Sequence, residues 1–231
     1  MRGLDGSTWR FSQRVEHEAG SGSGWSDSKK KTFRPCEQDR PDVQDKRRAF
    51  LEEVATIDPD DLVFIDESGC NIAMASSYGR APVGVRVRDS KPGNWGSNIT
   101  VVGAISNDRV VCHRALPGAM NKPRFIDFVV NVLCPRVRRG AVVVLDNLRA
   151  HHAPEVRIAI EAVGARVLYL PPYSPDLNPI ELCWSFAKAW LRRLAQRTDE
   201  GLRKAIRNTM LRVRSGHLLA WFKHCGFGQR K

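Results

Sequence analysis

Leu170–Trp184, which reads LPPYSPDLNPIELCW, is the stretch that decides the fold of this chain. Prolines and turn-forming residues separate a strand-like apolar run from a helix-like run. Asn178 suits the N-cap and Pro179 suits the first helical position. With Glu181 they make an N-x-x-E capping box. The stretch therefore predicts a strand-to-helix connection that places one carboxylate at the mouth of a helix.

The residues after this loop repeat with helical spacing. Apolar side chains at intervals of four and three residues predict a helix from Pro179 to about Arg197; they are Ile180, Trp184, Ala187, Leu191 and Leu194. We expect Trp184 and Trp190 to lie in the core. Lys188, Arg192 and Arg193 fall mostly off the apolar stripe, so we expect them on the exposed side.

Two further carboxylates follow apolar runs. Leu62–Ile65 predicts a buried strand that ends at Asp66, and Ala141–Leu145, apolar on both faces, predicts a central parallel strand that ends at Asp146. Sites in open α/β sheets form beyond the C-terminal strand ends, where both aspartates would lie. Three gathered carboxylates favour bound divalent cations. Taken singly, each aspartate is equally consistent with a turn former and Glu181 with a helix cap.

The remaining pattern supplies more strands and helices. Predicted strands lie at 99–105 and 110–116, joined by an Asn107-Asp108 turn, at 166–170, and in one short piece near 83–87. Predicted helices lie at 43–55, 123–132, 154–163 (ended by Gly164), 200–213 and 217–223. This order predicts an α/β fold, a mixed β-sheet flanked by helices on both faces.

Composition divides the chain into four parts. Residues 1–28, which include AGSGSGWSDS, predict a flexible segment, and residues 29–61 predict a linker arm with one short helix. Residues 62–197 hold the α/β pattern. Residues 198–231 predict a basic helical tail.

Charge points to an anionic partner. The net charge is +12, and residues 188–231 hold 12 basic and 2 acidic residues, a net charge of +10. Nucleic acid is the partner class that such a surface favours, although a solvated helical face has the same composition. The six cysteines form no CxxC pair, which argues against structural zinc. With no secretory signal and no long apolar run, we expect a reduced, cytoplasmic protein.

Three motifs together resemble a known family. YSPDLNPIE at 173–181, LDN at 145–147 and FIDES at 64–68 look like the DDE-type transposases of the mariner superfamily, and in particular the bacterial insertion-sequence branch called the six-thirty family. Thirty-four residues separate Asp146 from Glu181, the spacing of that superfamily. The resemblance implies an RNase H-like fold and two Mg²⁺ ions, for which Mn²⁺ can substitute. It makes Asp66, Asp146 and Glu181 the catalytic, metal-binding acids.

The family pattern also suggests DNA contacts. Asn147 and His151 match its DN-x-x-x-H segment, and Arg80 matches its Gly/Arg loop. Arg80, Arg86 and Arg88 are candidate phosphate contacts, as are His151, Lys188, Arg192 and Arg193. Solvated surface arginines and a loop histidine remain the alternative interpretation of these residues.

The resemblance implies particular partners. They are transposon ends and target DNA containing a TA dinucleotide, with the chain acting as a homodimer or higher oligomer in a bacterial, nucleoid-associated setting. Full-length members carry N-terminal helix-turn-helix units, which do not fit before Lys29. We therefore expect either half of a split element, working with a separate helix-turn-helix polypeptide, or a truncated copy. An inactive, repurposed DNA-binding protein is the alternative function.

Overall fold

The structure, a computed structural model, describes residues 34–147 and 153–228. The segment 1–28, predicted to be flexible, and His151 both lie outside the described residues. The strands are β1 (Leu62–Cys70), β2 (Ile99–Ile105), β3 (Val110–Pro117), β4 (Val142–Leu145) and β5 (Arg166–Tyr169). The helices are α1 (Pro41–Val54), α2 (Lys122–Phe128), α3 (Pro154–Ala162), α4 (Pro179–Leu194), α5 (Asp199–Met210) and α6 (Ser215–His224). A π-helical turn, Val129–Leu133, continues α2.

The described strands form one mixed sheet in the order β3-β2-β1-β4-β5. The hairpin strands β2 and β3 pair antiparallel, and β2 pairs antiparallel with β1. On its other edge β1 pairs parallel with β4, which in turn pairs parallel with β5. The predicted mixed sheet, with its hairpin and central β4, is therefore confirmed.

Helices cover both faces of the sheet, because its central strands are apolar on both sides. One face packs against α1, α4, α5 and α6, through a cluster that includes Phe64, Val144 and Trp184. The other face packs against α2, the π-helical turn and α3, through a cluster that includes Ile65 and Val143. The result is the three-layer arrangement expected of an α/β fold.

Two strand predictions are wrong in detail. The strand predicted to end at Ile65 continues to Cys70, because its second half pairs with β2 from Phe64↔Ile105 to Cys70↔Ile99. Residues 83–87, although described, form no strand; Val83, Val85 and Val87 are exposed and lack a sheet edge to pair with. Alternation of valine with polar residues suggested a strand, but a strand also needs a neighbour for its backbone hydrogen bonds.

The C-terminal helices contribute to the same core as the sheet. Phe222 of α6 is fully buried, and its ring meets that of Phe64 on β1 edge-to-face at 5.4 Å between centroids. Phe227 also packs on Phe64, at 5.1 Å between ring centroids, and the three rings form one cluster because Phe222 and Phe227 lie 6.4 Å apart. No helix in the described part of the chain is both long and apolar enough to cross a membrane.

We expect Phe222→Ala to lower the free energy of unfolding by about 3–5 kcal/mol, since it removes a buried ring and leaves a cavity beside Phe64. Chemical denaturation measures the change. Leu219→Ala is the matched control on the same helix, because Leu219 is 49% exposed and should cost much less. Equal losses for the two variants would show that α6 is not part of the core.

Candidate active site

Asp66 lies inside β1 rather than at its end. It stands opposite Gly103 of β2 and is only 8% exposed. The sequence prediction of a strand-terminating carboxylate is therefore wrong for Asp66. The parallel pairing with β4 does stop near this point, after Phe64. Asp66 is thus buried at the position where the sheet opens between β1 and β4.

Asp146 reaches the same opening from the neighbouring strand. Phe64 of β1 pairs with Val144 of β4, and each aspartate lies two residues farther along its chain. Because strand side chains repeat every two residues, this register brings Asp66 and Asp146 to one level and one face. Asp146 directly follows the last residue of β4, as predicted.

Glu181 enters from the first turn of α4. Four residues at intervals along this helix are buried against the sheet: Ile180, Trp184, Ala187 and Leu191. Leu194, predicted to continue the stripe, is 43% exposed, and the helix ends there with Ala195 in the left-handed conformation. The buried stripe fixes the rotation of α4 and, with it, the direction of Glu181.

The predicted capping box at Asn178 is wrong. Asn178 is the N-cap residue, but its side chain makes no cap hydrogen bond in the described structure. Its Oδ1 atom is buried and has no hydrogen-bond partner among the described residues. The Asn178 carbonyl instead accepts a hydrogen bond from the backbone N–H of Glu181 at 3.1 Å.

Contacts from α1 and the turn before it hold the loop that precedes α4. The Arg47 guanidinium donates to both carboxylate oxygens of Asp176, at 3.0 and 2.6 Å, and to Ser174 Oγ at 2.7 Å. Gln38 donates to Asp176 Oδ1 and to the carbonyl of Tyr173, a residue with the positive φ of 56°. Partial burial alone would raise the pKa of Asp176, but its bonds to Arg47 outweigh that effect and the pKa is lowered. These contacts hold Tyr173 in the left-handed region of backbone conformation, which residues other than glycine rarely adopt.

The three acids line one pocket of about 490 Å³. Its walls come from the middle of β1, from the residues that follow β4 and β5, and from the loop and first turn of α4; they are Asp66, Asp146, Asn147, Leu170, Pro171, Pro172, Tyr173, Ser174, Pro175, Asn178 and Glu181. The structure therefore brings the predicted acids to one cavity, although they are 80 and 35 positions apart along the chain.

The pocket disfavours negative charge. Burial raises the pKa of Asp66 to about 7; Glu181 adds to the increase, the backbone N–H of Glu67 opposes it, and Glu67 and Asp146 add further. Glu181 remains open to solvent at the rim. Its pKa is also raised, mainly by partial loss of hydration, with Lys188 opposing and Asp146 reinforcing the rise. Such mutual repulsion is what bound cations relieve.

Divalent metal ions suit these donors in part. Carboxylate oxygens are the hard ligands that Mg²⁺ prefers, and three of them line one pocket. However, the described residues contain no group of three or more acidic, histidine or cysteine side chains already close enough to hold a metal ion. The three carboxylates are therefore candidate ligands in one pocket rather than a preformed cluster.

The predicted DNA contacts among the described residues do not line the pocket. Arg80, Arg86 and Arg88 are exposed on the segment between β1 and β2. The two ends of this segment are held by Arg197, which donates to the carbonyls of Ile72, Met74 and Ser90.

The basic side chains of α4 stand near an aromatic residue. Arg192 and Arg193 are exposed and Lys188 is half-buried. Trp190, predicted to be core, is also only half-buried, and the guanidinium groups of Arg193 and Arg212 lie 5.0 and 4.5 Å from its ring centroid. Cation–π interactions with these two guanidinium groups stabilise the ring, so Trp190 is stable without full burial.

Several side chains that shape the site carry no local sequence signal. Arg47 and Gln38 act on a loop more than 120 positions away. Trp184, predicted to be core, is buried, but its indole Nε1–H also donates to Asp66 Oδ2 at 3.0 Å. Helical spacing identifies such a tryptophan as buried and cannot identify its hydrogen-bond partner.

A family model described as DDE superfamily endonuclease matches residues 61–203, well over half of the chain. None of the curated proteins matches the sequence at a significant level.

Solved structures of one transposase share the fold. The Mos1 transposase paired-end complex with the left transposon end aligns with a TM-score of 0.69 at 18% identity, over 86% of this chain and 63% of that one. The Mos1 paired-end complex with Mg gives 0.68 at 17%, over 87% and 65%. The isolated Mos1 catalytic domain gives 0.54 at 16%, over 80% and 85%. The chain thus spans less than two thirds of the first of these proteins. The predicted RNase H-like fold is confirmed.

We expect the metal-free chain to lose stability as pH rises from about 4 to about 7. Folded Asp66 keeps its proton up to about pH 7, whereas the unfolded residue releases it near pH 4, so the folded state binds more protons in this window. Asp66→Asn should remove the part of this dependence that Asp66 contributes and leave the smaller part that comes from Glu181, whose pKa is also raised. The free energy of unfolding of Asp66→Asn minus that of wild type should increase by at most about 4 kcal/mol between pH 4 and pH 8. Denaturation in the presence of a chelator measures this difference.

Asp127→Asn is the control with the opposite sign. Hydrogen bonds from Asn131 and then Arg114 lower the pKa of Asp127, so its charge contributes stability that is lost as pH falls through the folded pKa. If the free energies of unfolding of Asp66→Asn and wild type changed with pH in parallel, the raised pKa of Asp66 would be contradicted.

Proposed function

Because the chain belongs to the DDE superfamily endonucleases, we propose that it is the catalytic part of a DNA transposase that cuts a phosphodiester bond at a transposon end and joins the freed 3′-hydroxyl to target DNA. The observation that supports this most directly is the shared pocket of Asp66, Asp146 and Glu181. All three acids lie within the segment that matches the family model.

Asp66, Asp146 and Glu181 are the residues that would hold divalent cations, two Mg²⁺ ions or Mn²⁺ in their place. When bound, such ions activate the attacking hydroxyl and stabilise the leaving oxygen of a phosphodiester. The chain supplies the placement. Asp66 is rigidly buried within a strand, Asp146 extends from the neighbouring strand, and Glu181 is set by a helix whose preceding loop is tied to α1. Positioning and charge neutralisation are the main demands of phosphoryl transfer.

DNA is the proposed partner, as transposon ends and as a target containing TA. Two groups of exposed or half-exposed cations are candidate contacts for its phosphates: Arg80, Arg86 and Arg88 between β1 and β2, and Lys188, Arg192 and Arg193 on α4. Lys188 lowers the pKa of Glu181 electrostatically, which supports placing this one lysine near the acids. His151, beyond the described residues, remains a candidate contact.

The finer assignments rest on the sequence motifs. We propose membership in the bacterial insertion-sequence branch, action in the cytoplasm near the nucleoid, and assembly on DNA as a homodimer or higher oligomer. Recognition of the transposon ends is assigned to helix-turn-helix units, supplied by a separate polypeptide if the element is split.

We expect Asp66→Ala, Asp146→Ala and Glu181→Ala each to reduce Mg²⁺-dependent nicking of transposon-end DNA below detection. The physical reason is that each removes a ligand from a site that must hold cations in fixed positions. The assay is gel analysis of labelled duplex with the chain supplied with a helix-turn-helix partner. Asp127→Asn, a surface acid on α2, should nick normally.

Nicking that survives loss of any one of the three acids would remove that residue from the assignment. A wild-type chain that binds DNA but does not nick it under any divalent metal would instead match the alternative, an inactive transposase repurposed as a DNA-binding protein.

Removing the basic groups should weaken DNA binding and flatten its salt dependence. Each lost phosphate contact reduces the slope of log K against log salt by about 0.9 on duplex DNA. Replacing Lys188, Arg192 and Arg193 by glutamine, or Arg80, Arg86 and Arg88 likewise, should therefore lower the slope by roughly 2–3. Fluorescence anisotropy across salt concentrations measures this slope.

Arg157→Gln is the control, because Arg157 lies on α3, which packs on the opposite face of the sheet from α4. A slope that is unchanged in both triple variants would exclude these two surfaces as DNA contacts.

A further inference from the structure

Trp184 and Asp66 form a buried contact between α4 and β1. The indole Nε1–H donates to Asp66 Oδ2 at 3.0 Å. The two residues are 4% and 8% exposed, so water competes little for either group. Trp184 follows Glu181 by three positions on the same helix, which places both on neighbouring parts of one helical face. One rigid helix therefore carries one proposed catalytic acid and a hydrogen-bond donor to another.

The sheet leaves room for this contact at Gly103. This glycine lies on β2 directly opposite Asp66. A Cβ atom added at Gly103 would lie 2.9 Å from Cη2 of Trp184, closer than side-chain atoms normally approach. The missing side chain is thus what lets the indole lie close enough to the sheet to reach Asp66. The hydrogen bond joins α4 to β1, and the glycine on β2 leaves the space that it needs.

We propose that Trp184 is a positioning residue that sets the orientation of the Asp66 carboxylate for metal binding. This inference rests on the proposed function, since it assumes that Asp66 is a metal ligand. The indole N–H is a donor only, so it can hold a carboxylate oxygen without competing for a cation. Partners of this kind orient metal ligands, and their loss typically reduces metal affinity or activity by about 10–100-fold.

The contact also links two of the acids mechanically. Ile180, Trp184, Ala187 and Leu191 anchor α4 to the sheet, so a shift of the helix would move Glu181 and the Asp66 hydrogen bond together. Trp184 accordingly sets the position of Asp66 relative to Glu181, in addition to filling the core.

The hydrogen bond itself is observable in the metal-free chain by two-dimensional ¹⁵N–¹H NMR. The chain has six tryptophans, and the Trp184 indole signal is the one that Trp184→Phe removes. We expect Asp66→Ala to move this signal most among the indoles and to accelerate its exchange with solvent. Asp127→Ala, which removes an exposed acid on α2 that does not act on Asp66, should leave it nearly in place. A Trp184 signal indifferent to Asp66→Ala would overturn the proposal.

Metal affinity tests the consequence. Isothermal titration with Mn²⁺ should show about 10–100-fold weaker binding in Trp184→Phe, which keeps an aromatic ring but loses the donor. Gly103→Ala should weaken binding in the same direction, because it displaces the indole while leaving it present. Trp221→Phe, a half-buried tryptophan on α6 that packs on Phe186 and His217, should bind Mn²⁺ as wild type does.

The double variant Gly103→Ala/Trp184→Phe separates positioning from packing. The added methyl group occupies space that the smaller ring vacates, so the double variant should recover stability lost in Trp184→Phe. Its Mn²⁺ affinity should stay low, because the donor is still absent. Recovery of both stability and affinity would reduce Trp184 to a packing role.

The positioning role and the proposed function would fail in different ways. If wild type and Trp184→Phe bind Mn²⁺ equally, the positioning role is overturned while the proposed function stands. If the wild-type chain binds no Mn²⁺ even with transposon-end DNA and its helix-turn-helix partner, the proposed function is overturned, and the positioning role with it.

Discussion

Packing of α4 against β1 and β2 is the constraint on which the rest of the site depends. The buried face of α4 inserts Trp184 over Gly103, and this contact determines where the first turn of the helix stands. Glu181 belongs to that turn. Because protein interiors are packed to near-crystalline density, the helix has little freedom to rotate or slide. The direction of the third carboxylate is therefore decided by apolar contacts rather than by the carboxylate itself.

Bringing three acids into one pocket costs folding free energy. Contacts in other parts of the structure offset that cost. Burial makes charge on Asp66 unfavourable, which its raised pKa of about 7 reflects. The Arg47–Asp176 ion pair and the bonds of Gln38 hold the loop that leads to Glu181. Lys188 lessens the repulsion at Glu181. The site is thus arranged electrostatically for cations, although the described residues contain no preformed group of three metal-ligating side chains.

Much of this architecture was predictable, because apolar patterns decide which elements bury a face. The runs at β2, β4 and β5 and the stripe of α4 predicted their elements to within a few residues, and Gly164, with a φ of 76°, ends the turn after α3 as expected. The two strand errors have a common origin. The full length of β1 and the missing strand at 83–87 both depend on whether a distant strand is present to pair with. Local propensity does not contain that information.

The sequence by itself determined most of the strands and helices and, through the FIDES, LDN and SPDLNPIE motifs, the identity of three candidate acids. Only the tertiary structure decided that Asp66 lies inside a strand and that α1 holds the loop. The hydrogen bond from Trp184 to Asp66 likewise exists only in the folded chain. The physical reason is that periodicity and capping are local properties of the chain. A hydrogen bond between residues 118 positions apart, and the glycine that makes room for it, exist only after the helix and the sheet have packed.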